Sequence, residues 1–211
     1  MACAICQVRK PKRFCPGVQG DICTVCCGTE REVTVTCPLD CEYLREAREH
    51  EKPSGLDSES VPHRDVKVTE RFLEENSNLF TRVAEELVEG AFETRGVSDF
   101  DVRDALEALI RTLRTLQSGV YYESRPENSL ANSLFTRVLR AVEDFRAEEQ
   151  KKGLPSTRDS DVLGVLVFLQ RIELDRNNGR PRGRSFIHQL HRFYRDAITA
   201  PGAAESPLIL P

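Results

Sequence analysis

All eight cysteines of this 211-residue chain lie among its first 41 residues. So many thiols in so short a segment are typical of metal ligands in a reducing compartment, where disulfides are rare. The first residues, MACAICQVRK, lack the apolar segment of a secretory signal, so we expect a cytoplasmic protein. The cysteines therefore predict a zinc-binding segment, the Cys module, over residues 1–52.

Two CxxC pairs are separated by sixteen residues, and they comprise Cys3, Cys6, Cys23 and Cys26. This spacing is typical of zinc sites, because a two-residue spacer lets a tight turn bring both sulfurs to about 2.3 Å from one Zn²⁺. We predict that these four cysteines hold a first zinc ion. Four thiolates complete the tetrahedral coordination of zinc, so the predicted site is structural and not catalytic.

The remaining cysteines form a second complete set and predict a second zinc ion, held by Cys15, Cys27, Cys37 and Cys41. In the segment CPLDC, a helix beginning near Pro38 would place both cysteines on one side of its first turn. The preceding segment, EVTVTC, alternates with period two and predicts a short strand.

A different pairing of the eight cysteines is also complete. One zinc is then held by Cys23, Cys26, Cys37 and Cys41, and the other by Cys3, Cys6, Cys15 and Cys27. Both pairings assign the adjacent Cys26 and Cys27 to different ions. Neighbouring side chains of an extended backbone point to opposite faces, which would allow this division.

The motifs CAIC, CTVCC and CPLDC, together with Cys15, resemble the cross-brace family of small treble-clef zinc fingers, which includes MYND and HIT fingers. The resemblance covers about 50 of the 211 residues, and no whole-chain family is identified. It implies two zinc ions bound by interleaved ligands, and a role in contacts between proteins.

The rest of the chain predicts helices. Residues 53–64 are rich in Pro, Ser and Gly and predict a linker, and residues 200–211 predict a flexible tail. Residues 65–199 show helical periodicity, with five helices predicted over about 69–92, from Ser98, from near Pro126, through the apolar run Val162–Leu169, and over about 183–198. Ser98 and Asp101 predict a capping box at the start of the second helix, and the helix through the apolar run is expected to be buried on most sides. The predicted fold is mainly α: a two-zinc module with short strands and one helix, followed by an all-α bundle.

A basic stretch in residues 176–195 contains six arginines and two histidines and no acidic residue. It offers candidate contacts for an anion or a nucleic acid at Arg180, Arg182, Arg184, His188, Arg192 and Arg195. The alternative is a solvated face that pairs with glutamates of neighbouring helices, such as Glu85, Glu86 and Glu89. A second basic patch contains Arg9, Lys10, Lys12 and Arg13, although the net charge of −4 argues against a general nucleic-acid binder.

Motifs of catalysis are absent from the sequence, including the phosphate-binding glycine loop and HExxH. The longest apolar run, Val162–Leu169, is too short to cross a membrane. We therefore predict a non-enzymatic zinc-binding protein that contacts a protein partner. The alternative hypothesis is a nucleic-acid-associated zinc-finger protein that uses its arginine-rich last helix, and a third is a thiol-based redox switch.

Overall fold

The computed structural model describes residues 2–51, 61–119 and 122–199, with side chains described as far as Phe193. This part of the chain is mainly α, as predicted, with eight helices and one two-stranded hairpin. The strands are β1 Arg13–Cys15 and β2 Gly20–Ile22, and the helices are α1 Thr24–Glu30, α2 Glu42–Glu49, α3 Glu70–Glu75, α4 Ser77–Glu93, α5 Asp99–Gln117, α6 Ser129–Lys151, α7 Asp159–Arg176 and α8 Ser185–Thr199. The predicted tail, and most of the predicted linker, lie outside the described residues.

The Cys module begins with an antiparallel hairpin in which Arg13 pairs with Ile22 and Cys15 pairs with Gly20. The chain then turns into α1 at Cys23, whose sulfur accepts a hydrogen bond from the backbone N–H of Cys26 at 3.4 Å. Cys23 is therefore the N-cap of α1, and it satisfies an amide that the first turn of a helix leaves without a partner.

Two predictions for this module are wrong. The segment EVTVTC forms no strand in the described chain, because the amides of Val33, Thr34 and Val35 all donate to the carbonyl of Glu30 in a turn at the end of α1. The helix expected near Pro38 begins instead at Glu42, with Cys41 as its N-cap. Residues 38–41 form a turn, so Cys37 lies outside the helix.

The bundle is built from α4 to α8, which surround one apolar core. The predicted helix over 69–92 is two helices, α3 and α4, which meet at Asn76: this residue is the C-cap of α3, where its side-chain amide donates to the carbonyl of Phe72, and the N-cap of α4. The capping box predicted at Ser98 and Asp101 is present at the start of α5. The apolar run Val162–Leu169 forms the centre of α7, a helix buried on most sides, as expected.

The Cys module packs against the bundle. Leu39, which lies between Cys37 and Cys41, is 8% exposed and belongs to the same apolar core as α4 to α8. The loop between α7 and α8, residues 177–184, contacts the module from the other side. In the described part of the chain, none of the helices is both long enough and apolar enough to cross a membrane.

Candidate metal centre

Four cysteines meet at one end of the Cys module. The sulfurs of Cys3, Cys6, Cys23 and Cys26 all lie within 4.8 Å of one another, and this set could hold a metal ion. In a tetrahedral site with bonds of about 2.3 Å, neighbouring sulfurs lie about 3.8 Å apart, so a small contraction would complete the site. Three of the four are buried, with Cys3 fully inaccessible to solvent. The structure therefore brings together the first predicted set of ligands.

Two tight turns build this cluster. The first turn contains Cys3 and Cys6 and is closed by Gln7, whose backbone N–H donates to the carbonyl of Cys3 at 2.8 Å. Gln7 adopts the left-handed conformation, with a φ of 55°. The second turn is the N-terminus of α1, which carries Cys26 three residues after the cap at Cys23. The backbone N–H of Cys23 donates to the sulfur of Cys3 at 3.2 Å and so joins the two turns.

Protonation of the four thiols is uneven. Burial raises the pKa of Cys3, but backbone amides, chiefly those of Cys6 and Cys23, outweigh burial and lower the pKa to about 6. Burial raises the pKa of Cys26 to about 12, with further contributions from the neighbouring thiols. Four thiolates in such proximity repel one another, and a divalent cation removes this cost. The donor set therefore suits a thiophilic ion.

Basic side chains surround the cluster. A hydrogen bond to Cys23, together with the charge of Cys6, raises the pKa of Arg9. Arg9 belongs to the basic patch of the Cys module, so at least this member of the patch faces the thiols, while Lys10 and Lys12 are exposed. The adjacent Arg13 lies over the ring of Tyr43, 3.8 Å from its centroid. This patch thus includes two side chains whose charge is used within the module.

The second predicted set is only partly assembled. Cys15, Cys37 and Cys41 pack around the buried Val35 and Leu44. Burial raises the pKa of Cys37 to about 11, and the charges of Cys15 and Cys41 add to this. In the described chain this set does not converge as closely as the first set does.

The fourth member of the second set, Cys27, lies on α1 next to Cys26. Its sulfur is 3.8 Å from a guanidinium nitrogen of Arg13 and 3.8 Å from one of Arg31. Cys26 belongs to the first cluster of ligands and Cys27 does not, and both lie on a helix, where successive side chains are rotated by about 100°. The extended backbone assumed from the sequence is absent at this position.

The arginine-rich segment is divided between the loop before α8 and α8 itself. Arg180 donates to the carbonyl of Arg31 at 3.0 Å, and Arg182 donates to the hydroxyl of Thr36 at 3.1 Å. Arg184 is 9% exposed and donates to the carbonyl of Ala91. These arginines contact the Cys module and α4. They do not form the expected pairs with Glu86 and Glu89, which contact Arg137 instead.

Candidate residues on α8 lie in different surroundings. His188 is half-buried, and burial lowers its pKa to about 4, with a further contribution from the charge of Arg48. Its neighbour His191 packs against Phe92 with ring centroids 4.7 Å apart. Arg192 is exposed, and the side chain of Arg195 lies outside the described residues.

The residue that connects the Cys module to the bundle is Glu32, which the sequence did not single out. It is fully buried, and its carboxylate accepts hydrogen bonds from Arg48 at 2.6 Å, Asn178 at 2.9 Å and the backbone N–H of Arg184 at 3.0 Å. Its partners in the α7–α8 loop are separated from it by 146 and 152 residues along the chain, so no local pattern indicates the contact.

Comparisons of the chain with models of protein families, with curated proteins and with solved structures found no match. A function for the site can therefore be inferred only from its own geometry and chemistry.

Proposed function

We propose that this chain is a non-enzymatic zinc-binding protein whose Cys module contacts a protein partner. The observation that carries the proposal is the cluster of Cys3, Cys6, Cys23 and Cys26, a closed set of four sulfur ligands. Zinc bound by four thiolates has no open position for a substrate, so its role is to hold the module together. The module has few buried apolar residues besides its cysteines, so its folding should depend on the ion.

We further propose that a second zinc ion binds Cys15, Cys27, Cys37 and Cys41. The proximity of Cys15, Cys37 and Cys41 supports this arrangement. The guanidinium groups of Arg13 and Arg31, each 3.8 Å from the sulfur of Cys27, would offset part of the negative charge of a zinc site there. Two interleaved sets of ligands are also what the resemblance to cross-brace zinc fingers implies.

A protein partner is supported by apolar side chains exposed on the Cys module. Among the described residues, five of the eight large apolar side chains that are exposed lie in this module, namely Val8, Phe14, Val18, Val25 and Val33. Phe14 is 61% exposed. Its neighbours on β1, Arg13 and Cys15, are turned inward, so strand alternation holds the aromatic ring in solvent. Exposed aromatic residues are characteristic of protein interfaces.

Metal analysis of the freshly purified chain tests the zinc proposal. Two zinc ions per chain are expected for the wild type and one for Cys27→Ser, with the first cluster still filled. If the wild type holds one ion and Cys27→Ser retains it, the second site is wrong. If the wild type holds no metal, or iron, the zinc assignment is wrong as a whole.

Affinity capture with the full chain tests the partner proposal. Phe14→Ser should lose captured proteins that the wild type retains. The matched control, Leu154→Ser, changes an exposed apolar residue of the bundle and should retain them. Equal loss in both variants would contradict a binding surface on the Cys module.

Nucleic-acid binding is the alternative function, and the exposed Lys10 and Lys12 favour it. The same capture, repeated after nuclease treatment and over a range of salt concentrations, separates the two functions. Retention that falls steeply with salt and is lost with nuclease would support contact with phosphates. Retention that survives both treatments supports a protein partner.

A further inference from the structure

We propose that metal binding in the Cys module controls the contact between Glu32 and the α7–α8 loop, so that loss of the metal releases the arginines of that loop from the module. The inference rests on the metal binding proposed above. It goes further, because it assigns to the metal a control over a surface that belongs to the bundle.

The contact is centred on the carboxylate of Glu32. One carboxylate oxygen accepts from Arg48 and from the backbone N–H of Arg184, and the other accepts from Asn178. The backbone carbonyl of Glu32 accepts from the N–H of Arg182 at 2.9 Å. Glu32 therefore binds a side chain of its own module and both the backbone and a side chain of the loop.

The same loop is held by the bundle on its other side. The carbonyl of Gly183 accepts from the N–H of Asp99 at 2.8 Å. In return the carboxylate of Asp99 accepts from the N–H groups of Phe186 and Ile187, at 3.0 and 3.1 Å, at the start of α8. The loop is thus fixed between two buried carboxylates, one from α5 and one from the Cys module. Of these two, only the carboxylate of Glu32 belongs to the metal-binding segment.

The metal cluster and Glu32 are joined by α1. This helix has seven residues, begins immediately after Cys23 and ends two residues before Glu32. A helix of this length is not stable in isolation, so α1 depends on its cap and on the anchoring of Cys26 in the cluster. Glu32 has a φ of 54°, a left-handed conformation that a glutamate adopts only where the surrounding structure enforces it. Loss of the metal from the cluster therefore removes the support for α1 and for the backbone conformation of Glu32.

Buried charge makes the hydrogen bonds between Glu32 and the α7–α8 loop form and break together. Arg48 has a side chain that is 8% exposed, and Arg184 is 9% exposed. Within the described residues, Nε and Nη1 of Arg48 and Nε of Arg184 have no hydrogen-bond partner. Both cations thus rely on few contacts, and withdrawal of Glu32 leaves Arg48 buried without its counter-ion. Because unpaired buried charge is costly, the contact opens as a unit.

Opening frees the groups that now bind the Cys module. Arg180 and Arg182 lose the carbonyl of Arg31 and the hydroxyl of Thr36 as acceptors. Asn178 and the N–H of Arg184 lose the carboxylate. The released loop presents the guanidinium groups of Arg180 and Arg182 beside the amide donors that bound the carboxylate of Glu32, so it is suited to acidic ligands.

Hydrogen exchange of the full chain tests this control, with the metal content measured on the same samples. In the metal-loaded wild type, amides of residues 178–184 should exchange slowly. A chelator should accelerate them by about tenfold or more, because several charge-assisted hydrogen bonds are lost together. Amides in the centres of α5 and α7 should be unaffected.

Glu32→Gln separates the contact from the metal. This variant should retain its metal, since Glu32 is not one of the clustered cysteines, and yet exchange rapidly in residues 178–184. A chelator should then add little. The matched control, Glu49→Gln, neutralises an exposed acid of α2 and should behave as the wild type does.

Three results would overturn the inference. If metal is present and the chelator removes it without changing exchange in the loop, the control by metal is wrong while the zinc proposal stands. If Glu32→Gln leaves the loop as protected as Glu49→Gln does, Glu32 is not the residue that holds it. A wild type that binds no metal overturns both proposals.

Discussion

The Cys module and the helical bundle are stabilised by different means. In the module the buried apolar clusters are small and consist largely of sulfur, together with Ile22, Val35 and Leu44. In the bundle a continuous core of Leu, Val, Ile, Ala and Phe side chains extends from α4 to α8. The bundle can therefore fold by burial of apolar surface, whereas the module, under the zinc proposal, also needs metal–ligand bonds. Each region should thus unfold under conditions in which the other stays folded.

The largest effect is expected from Cys26→Ser. The change removes one of the four clustered sulfurs and should lower the zinc content by one ion per chain and abolish hydrogen-exchange protection in residues 3–30. The cores of α5 and α7 should remain protected. Val25→Ser, an exposed neighbour on the same helix, is the control and should retain both the metal and the protection. Global unfolding of the chain by Cys26→Ser would show that the bundle is not independent of the module.

Leu134→Ala should have the converse effect. Leu134 is fully buried on α6 and packs over Gly90 of α4, where a Cβ atom would lie 2.6 Å from its Cδ2. The cavity should lower the free energy of unfolding of the bundle by about 2–5 kcal/mol, measured by urea denaturation. Zinc content should not change. The exposed Leu154→Ala should cost no more than about 0.5 kcal/mol.

The pH dependence of stability should reveal two opposed groups at the boundary between the regions. Burial raises the pKa of Asp99 to about 7, so its contribution to stability is complete below about pH 4 and is lost as the pH rises through about 7. Burial lowers the pKa of His188 to about 4, so its contribution is complete above about pH 6.5 and is lost as the pH falls through about 4.

Variants at the two positions should therefore change the pH profile in opposite directions. As the pH falls from about 7 to about 4, the free energy of unfolding of Asp99→Asn should fall more steeply than that of the wild type. The free energy of unfolding of His188→Gln should fall less steeply than that of the wild type. Unfolding free energies across this range provide the measurement. Parallel profiles for both variants would show that neither group titrates as its surroundings require.

The smallest effect is expected from Glu148→Gln. This glutamate of α6 pairs with Arg82 of α4 at 3.1 Å, with both side chains more than one-third exposed. Exposed pairs of this kind contribute about 0.2–1 kcal/mol, and the loss should shrink as salt is added. A loss comparable to that of Leu134→Ala would mean that surface charge, and not the apolar core, holds α4 against α6.

Sequence reasoning succeeded where structure depends on local pattern. Apolar periodicity located the helices of the bundle, and the pair Ser98 and Asp101 marked the start of α5. The CxxC spacing predicted the four cysteines that lie together in the structure. In each case the interacting residues are either near in sequence or constrained by the chemistry of a shared ion.

It failed where a local preference met a stronger contact. EVTVTC has the composition of a strand, but the amides of Val33, Thr34 and Val35 donate to the carbonyl of Glu30 in a turn. Arg180, Arg182 and Arg184 look like a surface for anions, yet they contact segments far away in sequence. Charged residues with such distant partners cannot be distinguished from solvated ones by sequence alone.

The separation of Glu32 from its partners also has a consequence for biosynthesis. The cysteines are made first, whereas Asn178 follows Glu32 by 146 residues. At about 5–20 residues per second, the ribosome needs roughly 7–30 s to supply that partner. Throughout this interval the carboxylate of Glu32 lacks the loop that buries it. The nascent Cys module thus has time to take up its ion before the rest of the protein closes over it.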